Sequence, residues 1–169
     1  GEIEYLDTET YFRDFGQSKK SQHHKNPRLV MQGITGVNDK RRLIMSYLPA
    51  GVFCANSCNY VLSNDDKYSP LFLLGLYNSK LINWIFKKTS TNSNVNCYEI
   101  ENLPVPLIDR DNIETINQIE NNVKNILEVK EISDHKEFES TIKDYEVEID
   151  KLIFRLYGLD VVESNIIEN

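Results

Sequence analysis

Apolar side chains between residues 27 and 62 arrive in short runs. The segments PRLVMQGI, RRLIMSYLP, GVFCANS and CNYVLS are rich in Val, Ile, Leu, Phe and Tyr, and turn chemistry separates them: Gly36 with Asn38-Asp39, then Pro49-Ala50-Gly51, then Asn56-Ser57. Four short strands with tight connections predict a small, mostly antiparallel sheet. Asn64, Asp65 and Asp66 close the run.

A helical pattern begins at Ser69-Pro70, where a serine hydroxyl can accept free backbone N–H groups and proline at the first helical position loses nothing. The expected helix runs from Pro70 to about Phe86. Leu71, Leu74, Leu81 and Ile85 line one face, while Leu73, Leu76, Ile82 and Trp84 make the other faces apolar, as in a helix buried against a sheet. Gly75 inside it costs about 1 kcal/mol relative to alanine, which implies close backbone packing there. The pattern then stops: Lys87 to Asn94 contains no apolar residue, and the chain leaves through Leu103-Pro104-Val105-Pro106.

Beyond Pro106 the period is helical throughout. Ile116, Ile119, Val123 and Ile126 form one stripe, and Phe138, Ile142, Tyr145, Ile149, Leu152 and Leu156 form a second with a seven-residue repeat. Ile132 to His135 is a short connection, Asp134 and Glu137 have capping-box spacing, and Gly158 is placed to end the second helix. The predicted fold class is therefore α+β: a small, mostly antiparallel sheet packed on a buried helix, followed by a C-terminal antiparallel helical hairpin. The expected division is a lead-in over 1–24, a sheet-and-helix module over 25–108 and a helical tail over 109–169.

Composition narrows the class. With 169 residues, 40% hydrophobic and 27% charged, the chain has the make-up of a globular domain. No apolar run approaches a membrane span and the N-terminus lacks the pattern of a signal peptide, so a cytoplasmic location is expected. Gly1 in place of methionine suggests a piece of a longer polypeptide. Cys54, Cys58 and Cys97 are an odd number, and the Cys54/Cys58 spacing, even with His23 and His24 upstream, does not suit a zinc knuckle. Neither a disulfide nor a metal site is expected.

The net charge of −7 argues against a polyanionic partner, but its distribution reverses that impression. Residues 12–98 carry twelve Lys/Arg against four Asp/Glu, whereas residues 99–169 carry seven against eighteen. Such asymmetry suggests that one part faces a polyanion while the acidic helices solvate themselves. Catalytic signals are lacking: Asn26-Pro27-Arg28 falls short of the Asn/Asp-Pro-Pro-aromatic motif of an amino-methylating enzyme, and Glu128-Val129-Lys130 spells a nuclease motif on a helix, the wrong context. No catalytic residue is assigned.

Candidate binding residues are clearer. Lys19, Lys20, Lys25 and Arg28, with His23 and His24, form one basic cluster, and Lys40, Arg41 and Arg42 form a second. These can neutralise phosphates, and Gln32 beside them can read base edges. Lys87, Lys88, Thr89, Asn92, Asn94 and Asn96 add cations, a hydroxyl and amides in the polar segment after the helix. The plainer reading of that segment is a loop leaving a helix. Tyr47, Phe53 and Tyr60 could stack on bases but, at strand positions, are expected in the core.

The succession PRLVMQGIT, GVFCANSCNYVLS, YSPLFLLGLYNSKLINWIF and NVNCYEIENLPVP, closed by EIDKLIFRLYGLD, resembles the TaqI-like C-terminal specificity domain of bacterial adenine-specific DNA methyltransferases and of restriction enzymes fused to them. LLGLYNSKLINW and IENLPVP are its most specific parts. The resemblance implies a target recognition domain that binds double-stranded DNA without catalysis, joined to an upstream methyltransferase domain that would bind S-adenosylmethionine and modify an extruded adenine. No cofactor is expected in this chain. The alternative is a helical protein-interaction module that docks another subunit without reading DNA.

Overall fold

The computed structural model describes residues 7–55, 57–63, 65–132 and 135–168. Helix α1 (Thr8–Phe15) and a 3-10 helix (Lys20–Lys25) lead into strand β1 (Arg28–Gln32). Strands β2 (Met45–Leu48) and β3 (Cys58–Val61) flank β1, both antiparallel, with Val30 opposite Ser46 on one side and Tyr60 on the other. Alternation along β1 and β2 sends Leu29, Met31 and Met45 into the core, while Gln32 and Ser46 stay exposed.

The expected mixed α+β class with a small antiparallel sheet is what the chain forms, but with three strands rather than four. The GVFCANS segment is not a strand. Gly51 takes a positive φ of 86°, its N–H bonds the His24 carbonyl at 2.8 Å, and the Val52 carbonyl accepts from the Arg28 guanidinium. These two backbone groups are taken by the 3-10 helix and by a side chain rather than by a neighbouring strand.

The single helix expected over 70–86 is two, α2 (Pro70–Asn78) and α3 (Lys80–Thr89). Ser69 begins α2 as anticipated, its hydroxyl accepting from the Phe72 N–H at 3.1 Å. Ser79 is extended (φ −66°, ψ 156°); its hydroxyl donates to the Leu76 carbonyl at 2.7 Å and accepts from the Ile82 N–H at 3.3 Å. One serine thus closes α2 and opens α3. The periodicity hid this break because the segment is apolar on every face; the cap residue itself was the available signal.

Helix α4 (Cys97–Glu101) precedes the Pro104/Pro106 exit, which two tyrosines hold: Tyr157 donates to the Pro104 carbonyl at 2.6 Å and Tyr68 to that of Pro106 at 3.2 Å. Helices α5 (Ile113–Glu131) and α6 (Glu139–Leu156) form the expected antiparallel pair, and Gly158, with φ 68°, ends α6. Ile116, Ile119, Val123, Ile149 and Leu152 are buried, while Ile126 and Leu156 are partly so. Ile153 and Phe154 are buried as well, because α6 packs on α3 in addition to α5. The proposed cap at Asp134 lies outside the described residues. A short helix, α7 (Val161–Glu168), follows.

The hairpin does not stand apart from the sheet module. Its buried residues join those of β1, β2 and α2 in one cluster. Gly75 is where α2 meets the hairpin: a Cβ there would lie 2.9 Å from Ile119 Cγ2 and 3.0 Å from Val123 Cγ2. Those methyls sit on β-branched side chains that cannot swing away.

Asp150, where α6 meets α3, is buried and accepts the Lys80 backbone N–H at 2.8 Å, adding a tertiary cap to α3. Burial pushes its carboxyl above the usual range, against the pull of the Lys80 N–H and ammonium. Lys80, bonded to Glu168 and facing Asp150 from a more open position, is held above the ordinary lysine value. The buried partner of the pair carries the desolvation.

Two outcomes follow from this packing. Gly75→Val should lower the unfolding free energy by about 2 kcal/mol, as expected of overpacking, read from the denaturant midpoint. Asp150 binds its proton more tightly folded than unfolded, so its contribution to stability is full below the ordinary carboxylate pKa and declines as pH rises through the raised value. Asp150→Asn should remove that decline in unfolding curves taken between about pH 4 and 7; an unchanged slope would exclude Asp150 as its source.

Candidate nucleic-acid interface

The polar segment after α3 is a built loop. Thr35 N–H bonds the Ser93 carbonyl at 2.9 Å, Val95 N–H bonds the Gly33 carbonyl at 2.9 Å, and Ile34 bridges Asn94, so residues 93–95 lie beside the continuation of β1. Val95 is buried, and its carbonyl accepts from the Asn59 amide at 2.6 Å. Between the end of α3 and this plug, Thr91 to Asn94 are exposed.

Arg42 holds the loop from beneath. It is 1% exposed; one terminal nitrogen donates to the Ser90 carbonyl at 2.8 Å, the other to the Asn92 carbonyl, and the guanidinium lies 5.2 Å from the centre of the Phe86 ring. This corrects the expectation that Arg42 meets phosphate. Its planar fork of donors satisfies two loop carbonyls, and the ring face offsets part of the cost of burying the charge. Arg28, 4% exposed and bonded to the Val52 carbonyl, is likewise withdrawn from the outer surface and turned to an aromatic cavity. In both cases tertiary packing took a cation that local sequence marked as exposed.

Other expected contacts are partly consumed. The Thr89 hydroxyl donates to the Ile85 carbonyl at 3.1 Å, and Asn92 Oδ1 accepts the Asn94 N–H at 2.9 Å. Asn96 caps α4 with Glu99, which accepts both its backbone N–H and its side-chain amide at 2.9 Å. Partial burial raises the Glu99 carboxyl, but these donors and the Arg42 charge outweigh it and hold Glu99 below its ordinary value.

Exposed and half-buried residues remain in a coherent set. Lys40, Arg41, Lys80, Trp84, Lys87 and Lys88 line a groove of about 670 Å³ that ends against α7. Arg41 faces Glu146 at 3.9 Å and Lys80 bonds Glu168 at 2.9 Å. Lys40, Lys87 and Lys88 make no ion pair among the described residues. Gln32, exposed at the end of β1, lies next to Gly33, where the loop attaches. Lys80 and Trp84 were missed, although Lys80, Trp84, Lys87 and Lys88 recur at helical spacing on α3.

The first basic cluster is elsewhere. Lys19, Lys20 and Lys25 are exposed on and before the 3-10 helix, at the opposite end of β1 from the loop. Four residue steps of strand separate the two ends by on the order of 13 Å. Phe53 and Tyr60, expected in the core, are only partly buried beside this cluster.

No helix among the described residues is long and apolar enough to cross a membrane. None of the curated proteins matches the chain. The family model of the TaqI-like C-terminal specificity domain matches residues 3–105, a span that contains β1 to β3, both basic clusters, the loop and its Arg42 mount. The family is one of specificity domains rather than catalytic ones. With more than half of its length matched, this chain belongs to the TaqI-like C-terminal specificity domain family.

Proposed function

We propose that this domain reads the sequence of double-stranded DNA for an adenine-specific methyltransferase of a cytoplasmic restriction-modification system, through the loop Thr91–Asn94 and the cations beside it. The observation that supports this most is the Arg42 mount: a buried guanidinium fixes two carbonyls of a loop whose outer surface is hydroxyl and amide. Rigid presentation of such groups suits base-edge contacts, because little ordering is left to be done on binding. Lys40, Lys87 and Lys88 flank the loop and supply phosphate contacts that position the domain without reading sequence. Gln32 extends the amide row.

Methyl transfer belongs, in this reading, to a domain upstream that binds S-adenosylmethionine; an endonuclease fused to it is compatible with the same arrangement. The helical tail fits a supporting role better than a docking role. Its apolar stripes are spent on α5–α6 packing and on α2.

The test starts from a duplex selected out of a randomised library. Lys40→Ala/Lys87→Ala/Lys88→Ala should weaken selected and random duplexes alike and make the slope of log K against log salt shallower by about 2 to 3, at roughly 0.9 per phosphate contact. An unchanged slope would remove these lysines from the interface. Arg42→Lys, which keeps the charge but cannot fork to both carbonyls, should instead reduce the ratio of selected to random affinity about tenfold or more while the salt slope holds. An Arg42→Lys protein that still discriminates as well would sink the loop as the reading element.

A further inference from the structure

A second cavity, of about 400 Å³, opens at the end of β1 away from the reading loop. Its walls are aromatic. Phe53 stacks on His24 with ring centres 4.6 Å apart and planes 15° apart, and Tyr11 meets Phe53 edge-on at 5.3 Å. Tyr60 lines the cavity too, its hydroxyl 2.9 Å from His23 Nδ1 and its ring 5.4 Å from the Arg28 guanidinium. Lys20 stands exposed at the rim.

Arg28 makes this a built site rather than a surface dip. It is 4% exposed, donates to the Val52 carbonyl through one terminal nitrogen, and its buried Nε has no hydrogen-bond partner. Among the described residues no Asp or Glu lines the cavity and Arg28 makes no ion pair. A buried guanidinium at a cavity wall with no counter-charge among the described residues favours an anion. Aromatic walls with a cationic end favour a planar ring that carries that anion. The volume is of the size that holds a small ligand.

We propose that this cavity binds a single unstacked nucleotide, with its base against the Tyr11–Phe53 wall and its phosphate between the Arg28 guanidinium and Lys20. The site goes beyond duplex reading by the loop, shares no residue with it, and stands or falls separately.

The probe is deoxyadenosine monophosphate, titrated calorimetrically into the protein, with deoxyadenosine and inorganic phosphate as single-feature controls. The nucleotide should bind at least tenfold more tightly than either control. Phe53→Leu keeps apolar volume and removes the ring, so it should weaken the nucleotide about tenfold while leaving the circular dichroism spectrum unchanged. Lys20→Ala should weaken it severalfold. A duplex carrying one bulged deoxyadenosine identifies the source: preference for it over the fully paired duplex, lost in Phe53→Leu, assigns the nucleotide to a DNA strand. Binding of the free nucleotide without that preference assigns the site to a free nucleotide. Absence of both, or nucleotide binding unaltered by Phe53→Leu, overturns the proposal, and affinity of the selected duplex for the Lys40/Lys87/Lys88 surface would be untouched by that result.

Discussion

Two asparagine amides carry the arrangement on which the rest depends. β2 is an edge strand, and its outer backbone has no strand beside it. Asn78 supplies the missing partner at Met45, accepting its N–H at 2.8 Å and donating to its carbonyl at 2.9 Å. Asn83 does the same one stretch earlier, accepting from the Arg42 and Leu43 N–H groups at 3.1 and 2.9 Å and donating to the Leu43 carbonyl at 2.9 Å. These are buried or partly buried groups, each costing about 1–3 kcal/mol if left unpaired. The α2–α3 unit therefore substitutes for a fourth strand, and the backbone that carries Arg42 is locked to α3. Only then can the Arg42 side chain span from that backbone to the loop at the far end of the same helix.

The break at Ser79 belongs to the same device. Asn78 ends α2 and Asn83 lies in the second turn of α3, and the extended serine between them resets the helix so that both amides meet one stretch of backbone. Asp150 secures the reset from the hairpin side through the Lys80 N–H. Sheet, helix pair and hairpin are thus joined by polar contacts inside an apolar core, where low dielectric strengthens a satisfied hydrogen bond.

Charge is divided along the chain, and the fold cancels part of that division. Arg41 meets Glu146 of α6, and Lys80 meets Asp150 and Glu168 of the tail. Lys40, Lys87 and Lys88 keep their charge facing solvent next to the amide loop. The excess of cations in the first part of the sequence is therefore reduced to a narrower surface than composition implies. Arg28 and Arg42 are withdrawn from that surface altogether, one toward an aromatic cavity and one beneath the loop.

Hydrophobic periodicity alone determined the antiparallel sheet, the buried α2–α3 region and the α5–α6 pair, because burial repeats at the period of each element whatever it packs against. Ser69-Pro70, Gly158 and the crowding at Gly75 were equally legible, since caps and missing side chains act locally. The family, too, was written in local order, in segments such as LLGLYNSKLINW and IENLPVP. What only the tertiary structure decided was the use of each polar side chain. Asn83 looks like a flaw in an apolar helix, Arg42 like one of three surface cations, and Val52–Ala55 like a strand. Each was settled by a partner more than twenty residues away. Hydrogen-bonding demand is a property of the assembled interior, and one-dimensional pattern carries no record of which distant carbonyl or amide will be left needing a partner.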